Sequence, residues 1–334
     1  WSPEDAQRLA DGGENGDSSD ERALFLPNDL LGRHALLLGT TGVGKTRMLE
    51  LLIVQAIERG DAVVVIDPKG DERLFEVVEA ASLRSGRRMR TLSLPEPHRS
   101  ERYNPISSFS QVREVADRVA AVLPSEGESQ TFRNYAWEVV DVVARALVSG
   151  GVPLNFGTLR KYSIEDPWDL VRILLDKHFA KTPRPKSRPS QTYEELRDRG
   201  KLDPRPELDA LIALASRPRE HYLKMVSGLA PVLSRLAACE VLQEGISWKE
   251  VDQEREVAYF FLGSLLGYET ANAVAKMALL DFQSYVGRRY LEHRRAPMAL
   301  FVDELGDVLT PEFVNILNKS RGAGIRVTAC AQTL

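Results

Sequence analysis

The feature that most constrains this chain is a glycine-rich loop placed between an apolar run and a helical pattern. The loop reads Gly39-Thr40-Thr41-Gly42-Val43-Gly44-Lys45-Thr46, with apolar residues 35 to 38 before it and a helical pattern at residues 47 to 59 after it. Its glycines allow successive backbone N–H groups to point at one anion, and the helix start adds the positive end of its dipole. Lys45 can reach the β- and γ-phosphates of a nucleotide, and the Thr46 hydroxyl can bind Mg²⁺. The pattern predicts a phosphate loop whose residues together bind ATP.

A second signature lies far along the chain, where the apolar residues 298 to 302 end in Asp303 and Glu304. A strand ending there places Asp303 beside the phosphate loop, where it can hold a water bound to Mg²⁺ and complete a metal site with Thr46. Glu304 can then polarise the attacking water as a general base. The alternative is an ordinary helix start, at which acidic residues are common. Because a phosphate loop is present, we interpret the pair as catalytic, which predicts hydrolysis.

A third polar group, Asp67-Pro68-Lys69-Gly70-Asp71, follows the wholly apolar residues 62 to 66. Proline and glycine are turn formers, so one interpretation is a tight turn in which Asp71 caps the next helix. The carboxyl ends of parallel strands face the nucleotide crevice in folds of this kind, so the other interpretation has Asp67 and Lys69 contacting the nucleotide. The residues alone leave both interpretations open.

Arg321 and Gln332 flank the last apolar run of the chain. Arg321 can stabilise a helix C-terminus, or it can neutralise charge on the γ-phosphate of a neighbouring subunit. Gln332 can hydrogen-bond that phosphate or the attacking water near Glu304. Arg321 also ends the segment Asn318-Lys319-Ser320-Arg321, which is similar to half of a guanine-recognition motif but lacks its aspartate. We therefore expect ATP rather than GTP.

The distribution of apolar residues divides the chain into three stretches. Residues 1 to 109 and 248 to 334 alternate apolar runs with helical patterns, which is typical of a parallel sheet covered by helices. Residues 110 to 247 contain no convincing strand, and helices are predicted there at 110 to 123, 132 to 147, 167 to 179, 207 to 215 and 220 to 237. The predicted fold is α/β: a RecA-like P-loop NTPase domain with a mostly parallel sheet, interrupted by an all-α domain. The chain stops directly after a predicted strand, so we expect the second α/β part to be truncated at its C-terminus.

Composition excludes several classes of protein. The chain has 334 residues, 43% of them hydrophobic and 28% charged, and a net charge of -4. No apolar run reaches the roughly 20 residues that a membrane helix needs. Two isolated cysteines, Cys239 and Cys330, argue against a disulfide framework or a zinc site. Basic clusters at residues 84 to 90, 181 to 188 and 288 to 295 are interpreted as solvated loop edges, and a DNA contact from one of them is left open.

Taken together, these elements resemble the TraD/TraG family of conjugative coupling proteins, within the FtsK–HerA class of hexameric motors. The resemblance is greatest to the TraD branch of integrative conjugative elements. The matching residues are Gly39 to Thr46, Ile66-Asp67-Pro68-Lys69-Gly70-Asp71, Tyr103-Asn104-Pro105-Ile106, Phe301-Val302-Asp303-Glu304, Arg321-Gly322-Ala323-Gly324 and Ala331-Gln332. The helical stretch also lies where that family has its all-α domain.

The resemblance implies a ring ATPase at the cytoplasmic face of the bacterial inner membrane. Such a protein receives the relaxase–DNA complex and helps drive single-stranded DNA through a type IV secretion channel. To Lys45 and Glu304, the catalytic residues predicted from the motifs themselves, the resemblance adds Arg321 as an arginine finger acting in trans and Gln332 as a sensor of the γ-phosphate. Family members usually carry N-terminal membrane helices, which are not evident here. We expect a homohexamer for the full-length protein, and a cytoplasmic fragment, with a monomer left open, for this chain.

Two other functions compete with this one. The first is another translocase of the FtsK–HerA class, such as one for chromosome segregation, which the large helical insertion disfavours. The second is a nucleotide-gated docking module whose helical domain recruits protein cargo with little turnover. The Asp303-Glu304 pair argues against the docking module, because adjacent carboxylates with distinct roles are typical of hydrolysis.

Overall fold

The computed structural model describes residues 33–40, 42–123, 129–179, 195, 205–309 and 313–332. These residues belong to one compact unit that begins at Arg33. Its strands are Ala35–Leu38 (β1), Ala62–Asp67 (β2), Met89–Ser93 (β3), Val257–Phe261 (β4), Met298–Val302 (β5) and Ile325–Ala331 (β6). They form a single parallel sheet in the order β1-β6-β5-β2-β4-β3. The predicted parallel α/β architecture is confirmed, and the apolar runs predicted at 35 to 38, 62 to 66 and 298 to 302 agree with β1, β2 and β5 to within one residue.

Helices cover both faces of this sheet. In chain order they are Lys45–Glu58 (α1), Glu72–Arg84 (α2), Arg113–Ala121 (α3), Ser129–Gly150 (α4), Phe156–Arg160 (α5), Pro167–Phe179 (α6), Pro206–Ala215 (α7), Arg219–Met225 (α8), Leu229–Ala238 (α9), Trp248–Gln253 (α10), Ser264–Leu291 (α11), Leu305–Val308 (α12) and Phe313–Ser320 (α13). A single turn of π-helix, Lys161–Glu165, follows α5. None of the described helices is long and apolar enough to cross a bilayer.

The central strand β2 is buried along its whole length, as the wholly apolar run predicts. Val63 and Val65 face a core formed with α1 and α2, while Val64 and Ile66 face a second core on the other side. This alternation follows from the two-residue period of a strand. Each face of β2 therefore needs its own helical layer.

The second core continues from the sheet into the helical insertion without a break. It joins Ile66 and Phe260 of the sheet to Val140 of α4 and Leu229 of α9. Between β3 and β4, the described residues form helices and no strand, as predicted. The insertion thus supplies the layer that covers this face of the sheet, while the exact domain boundaries at 110 and 247 stay predictions.

Buried polar contacts tie the Tyr-Asn-Pro element to the insertion. The Tyr103 hydroxyl donates to Asp281 Oδ2 at 2.7 Å, and Trp248 Nε1 donates to the same oxygen at 2.6 Å. Arg118 places Nη1 3.1 Å from Asp281 Oδ1 and also donates to the Pro105 carbonyl at 2.7 Å. Buried charges are tolerated when they are paired and hydrogen-bonded in this way. The element that the family resemblance singles out is therefore a structural anchor in this fold.

Two predicted helices differ from those observed in their start or their continuity, and a third, expected at 132 to 147, is longer at both ends (Ser129–Gly150). The helix expected at residues 110 to 123 begins at Arg113, because the Glu114 carboxylate accepts from the Ser110 N–H at 3.1 Å and Ser110 caps nothing. The helix expected at 220 to 237 is divided between α8 and α9. Gly228, a poor helix former, lies in the break, and the Ser227 hydroxyl bonds the Lys224 carbonyl there. The start of α3 and the break between α8 and α9 depend on local residues and hydrogen bonds, which the apolar periodicity of the sequence does not reveal.

Candidate nucleotide-binding site

Most of the predicted site residues lie at one edge of the sheet. All strands are parallel, so the loop after β1, the turn after β2, Asp303 after β5 and Gln332 after β6 follow carboxyl ends that share this edge. Strand β6 lies between β1 and β5. Ligands bind outside the carboxyl ends of strands in open α/β sheets. The topology therefore assembles a single crevice from segments that are nearly 300 residues apart.

The phosphate loop has the backbone conformation that its glycines predict. Gly42 and Gly44 have φ angles of 85° and 94°, in the left-handed region that favours glycine. Gly39 lies close to Val43, and a Cβ there would approach Val43 Cγ2 to 2.6 Å unless the exposed valine side chain shifted. Thr40 is exposed beside them, and Thr41 lies outside the described residues. In the described part of the loop, Gly42 and Gly44 thus have the left-handed conformations that an anion-binding loop requires.

The loop leads directly into helix α1, which begins at Lys45. Gly44 is the N-cap residue and makes no side-chain cap, and the first turn of α1 contains no acidic residue. The first N–H groups of a helix have no partner within the helix, and the helix dipole is positive at this end. An anion is the ligand that suits such an uncapped start. The half-buried Thr46 lies in this first turn, where the sequence predicts a metal ligand.

Lys45 directs its ammonium group back over the loop. Its Nζ donates to the Gly39 carbonyl at 2.6 Å and to the Thr40 carbonyl at 2.8 Å. The ammonium therefore lies inside the curve of the loop rather than in solvent. A polyanion held by the loop would meet this positive charge directly, which agrees with the predicted role of Lys45.

Asp303 lies at the end of β5 and is almost fully buried. Its backbone N–H donates to the Ile66 carbonyl at 3.0 Å, which fixes it next to the end of β2. Burial, together with the negative charges of Asp67 and Glu304, raises the pKa of the Asp303 carboxyl to about 6, and Lys69 opposes the shift. A bound cation would offset this crowding of negative charge.

The donor set fits Mg²⁺ better than a metal held wholly by the protein. No group of three or more His, Cys, Asp or Glu side chains in the described part of the chain could hold an ion. Mg²⁺ typically keeps several waters and is bound through one or two carboxylates and the phosphates of a substrate. Asp303 and the Thr46 hydroxyl are the residues that would hold it here.

Glu304 and Gln332, both predicted site residues, are in direct contact. Gln332 Nε2 donates to Glu304 Oε2 at 2.8 Å. Glu304 has a φ of 56° and a ψ of 66°, a left-handed conformation that is costly for a residue with a side chain. Backbone strain of this kind concentrates at functional sites. Because β5 and β6 are neighbours in the sheet, the two residues meet at the same edge.

Asp67 uses both carboxylate oxygens within the protein. It accepts from the Gly70 N–H at 2.8 Å, the Asp71 N–H at 2.7 Å and the Tyr259 hydroxyl at 2.8 Å. Burial raises the pKa of the Asp67 carboxyl, and the Tyr259 hydrogen bond opposes the shift. Asp71 caps α2 by accepting from an N–H in its first turn. The tight-turn interpretation is confirmed, and nucleotide contact by Asp67 or the exposed Lys69 stays a prediction.

Arg321 lies at the opposite edge of the sheet. It is exposed in the turn Arg321–Ala323, which precedes β6, whereas Gln332 follows that strand. The seven residues of β6 separate the two edges by roughly 20 Å. The structure therefore does not bring Arg321 to the phosphate loop of its own subunit, and any contact with a γ-phosphate requires a second copy of the chain.

The basic clusters are more deeply built into the fold than the sequence predicts. Arg90 is buried and pairs with Glu101 and Glu250 at 2.9 and 2.7 Å. Arg289 is fully buried against Asp252 at 2.5 Å. The cluster at residues 181 to 188 lies outside the described residues. Interpretation of the other two as solvated loop edges is wrong for Arg90 and Arg289, because both guanidinium groups are buried, Arg90 3.7 Å from the buried Glu256 and Arg289 against the buried Asp252.

Two residues that shape this edge were not predicted from the sequence. Tyr259 of β4 supports Asp67, a contact that depends on the pairing of β2 with β4. Gly263 has a φ of 60°, and a Cβ there would approach Pro95 Cγ to 2.4 Å, while a Cβ on Gly70 would lie 2.9 Å from Gly263 Cα. In the sequence, Gly263 is distinguished only by its position directly after the apolar residues 257 to 262.

Comparison with known proteins gives a consistent result. A family model described as the type IV secretion-system coupling protein DNA-binding domain matches residues 23–191. The type 4 coupling protein DotL of Legionella pneumophila subsp. pneumophila (strain Philadelphia 1) is 28% identical over 174 residues, which are 47% of this chain and 22% of DotL. The chain thus spans about a fifth of the length of this curated relative.

Solved structures share the fold. The unbound bacterial conjugative coupling protein TrwBdeltaN70 superposes with a TM-score of 0.59 at 20% identity, covering 92% of this chain and 63% of that one. The plasmid coupling protein TrwB in complex with ADP and Mg²⁺ gives a TM-score of 0.57 at 19% identity, covering 94% and 68%. The predicted fold, a P-loop NTPase sheet with an all-α insertion, is confirmed by this likeness.

The turn after β2 gives a stability test with a matched control. Gly60 and Gly70 both have positive φ angles, 82° and 77°, but a Cβ meets nothing within 4 Å at Gly60 and meets the Gly263 backbone at Gly70. We predict that Gly60→Ala lowers the free energy of unfolding by about 1 kcal/mol and Gly70→Ala by about 3 kcal/mol. Urea denaturation measures the free energy of unfolding of each variant. Equal decreases for the two variants would contradict the prediction, because they would show that the contact between Gly70 and Gly263 does not restrict a side chain.

Proposed function

The chain belongs to the type IV secretion-system coupling protein family, and we propose that it is the part of such a protein that binds and hydrolyses ATP. The observation that carries this proposal is the contact between Glu304 and Gln332 at the same sheet edge as the phosphate loop. The phosphate loop alone would support ATP binding. The Glu304 carboxylate, held by the Gln332 amide at the same edge, supports ATP hydrolysis as well.

The residues of the site divide the work of hydrolysis among them. The backbone N–H groups of the loop and the start of α1 bind the phosphates, and the Lys45 ammonium exchanges its two carbonyl acceptors for phosphate oxygens. Glu304 accepts the proton of the attacking water, and Gln332 holds the Glu304 carboxylate in place through its amide. Thr46 and Asp303 would hold Mg²⁺, which would supply neutralisation of the charge that develops on the phosphates.

Arg321 completes the site from another subunit in this proposal. Its exposure and its position at the far edge of the sheet support action in trans. Phosphoryl-transfer enzymes commonly receive such a cation from a partner, and the contribution is large. A homohexamer of the full-length protein would bring the Arg321 edge of one subunit towards the phosphate loop of the next.

The cellular role follows from the family. We infer that the full-length protein acts at the cytoplasmic face of the inner membrane, where it receives a relaxase–DNA substrate and helps to move single-stranded DNA into a type IV secretion channel. The family model describes a DNA-binding domain, which supports nucleic acid as a substrate. The second candidate is a nucleotide-gated docking module, in which the helical insertion would recruit protein cargo.

Two substitutions separate nucleotide binding from hydrolysis. We expect Lys45→Ala to abolish ATP binding, because the loop loses its only described ammonium contact. Glu304→Gln should bind ATP normally and lose hydrolysis about a hundredfold or more, because only the proton acceptor is removed. Calorimetry measures binding and phosphate release measures turnover. Lys249→Ala, at an exposed lysine of α10, is the matched control. Wild-type turnover by the Glu304 variant would refute its assignment.

The motor and the docking module differ in their response to DNA and to concentration. For the full-length protein we expect turnover per subunit to rise with protein concentration and with added single-stranded DNA, because Arg321 of one copy completes the site of another. Mixing Lys45→Ala with Arg321→Ala subunits should restore part of the activity that each lacks. If the turnover per subunit is unchanged by single-stranded DNA, by protein concentration and by mixing the variants, the docking module would be supported instead.

A further inference from the structure

A groove of about 810 Å³ lies beside the turn after β2. One wall is α2, and the other is made by the segments that follow β3 and β4. Phe75 of α2 and Phe261 of β4 line it and contact each other edge to face at 5.9 Å. Lys69 and Gly70 also line it, so one side of the β2 turn faces the groove. The groove therefore adjoins the nucleotide-binding edge without being part of the phosphate loop.

Two leucines stand unusually exposed on the rim of this groove. Leu265 is 86% exposed and Leu266 is 83% exposed, both in the first turn of α11. A second hollow of about 350 Å³ lies on the other side of Leu266 and is lined by Leu94 and Val241 among others. Adjacent exposed apolar side chains beside apolar hollows are typical of an interaction surface.

The backbone on either side of Leu265 and Leu266 keeps these two side chains exposed to solvent. Gly263, directly before the first turn of α11, packs so closely against Pro95 and Gly70 that neither glycine has room for a Cβ. Gly267, directly after it, has a non-helical conformation (φ −168°, ψ 66°) that kinks α11. The Leu266 N–H also donates to the Gly263 carbonyl at 2.9 Å. The exposure of the two leucines is thus a consequence of fixed backbone geometry.

The charge of the groove is acidic. Glu72, Glu76 and Glu79 of α2 line it with spacings of four and three residues, which places them on one face of the helix. None of the three pairs with a cation in the described part of the chain. Glu96 also lines the groove, and the basic residues there are Lys69 and Arg99, so four carboxylates face two cations. Like charges on one helix face repel each other, and a basic partner would relieve that repulsion.

We propose that this groove binds a basic, apolar peptide segment of a partner protein. The leucines and the phenylalanines offer apolar contacts to every second or third residue of such a segment, and the glutamates of α2 attract its lysines or arginines. Nucleic acid does not fit, because its phosphates would meet four carboxylates. The proposal goes beyond ATP hydrolysis and does not depend on it, and it assigns a partner-binding role to the sheet edge rather than to the helical insertion.

A labelled synthetic peptide of alternating lysine and leucine is the probe, and fluorescence anisotropy without nucleotide is the measurement. We expect this peptide to bind, and peptides of glutamate and leucine or of lysine and serine to bind much more weakly. Leu265→Ser should weaken binding about tenfold by removing an apolar contact. Leu291→Ser, at a leucine that is 78% exposed at the other end of α11, is the matched control and should change nothing.

Charge reversal supplies the second arm. Glu76→Lys should weaken binding about threefold or more at low salt, and the loss should shrink as salt is added. Glu58→Lys, at an exposed glutamate at the end of α1, changes the net charge equally and should have no effect. The proposal would be overturned if the wild-type chain bound all three peptides equally. It would also be overturned if the Leu265→Ser and Glu76→Lys variants bound the lysine–leucine peptide as tightly as the wild-type chain does. Self-association of the wild-type chain that Leu265→Ser abolishes would assign the groove to a second copy instead.

Discussion

The parallel orientation of every strand around the doubly buried β2 is the constraint on which the rest of the structure depends. It places the phosphate loop, Asp303 and Gln332 at one edge and Arg321 at the other. The strand order adds a second condition, because β6 between β1 and β5 brings Gln332 against Glu304. The chemistry of the site is therefore a property of sheet topology, to which the loop contributes only the anion-binding part.

The helical insertion belongs to the same cooperative core. Its apolar residues continue the core on one face of the sheet, and Arg118, Trp248 and Tyr103 converge on the buried Asp281 of α11. Arg118 is the member of this group that belongs to the insertion, and breaking its buried ion pair with Asp281 would be costly. Helix α11 thus contacts the insertion through Asp281 and the β2 turn through the Ser264 N–H, which donates to the Pro68 carbonyl at 2.8 Å.

Much of this arrangement is predictable from the sequence, because the decisive signals are local. The spacing of Gly39, Gly44 and Lys45 fixes the phosphate loop, and apolar runs fix the strands to within one residue. Contacts that depend on register, such as Tyr259 with Asp67 or Gly70 with Gly263, cannot be deduced without knowing that β4 lies beside β2. The false start at Ser110 has a local cause, because Ser110 does not cap the helix with its hydroxyl but donates its backbone N–H to the Glu114 carboxylate. The family and the fold are confirmed by comparison, and the roles of all the predicted site residues stay predictions.

The central claim is that the loop and the start of α1 hold the phosphates of ATP. A crystal structure of the chain with Mg²⁺ and a non-hydrolysable ATP analogue tests it most directly. The account predicts analogue phosphates against the N–H groups of residues 42 to 46, with Lys45 Nζ moved from the Gly39 and Thr40 carbonyls onto phosphate oxygens. Saturating analogue with no density at the loop, and with Lys45 still bonded to those carbonyls, would contradict it.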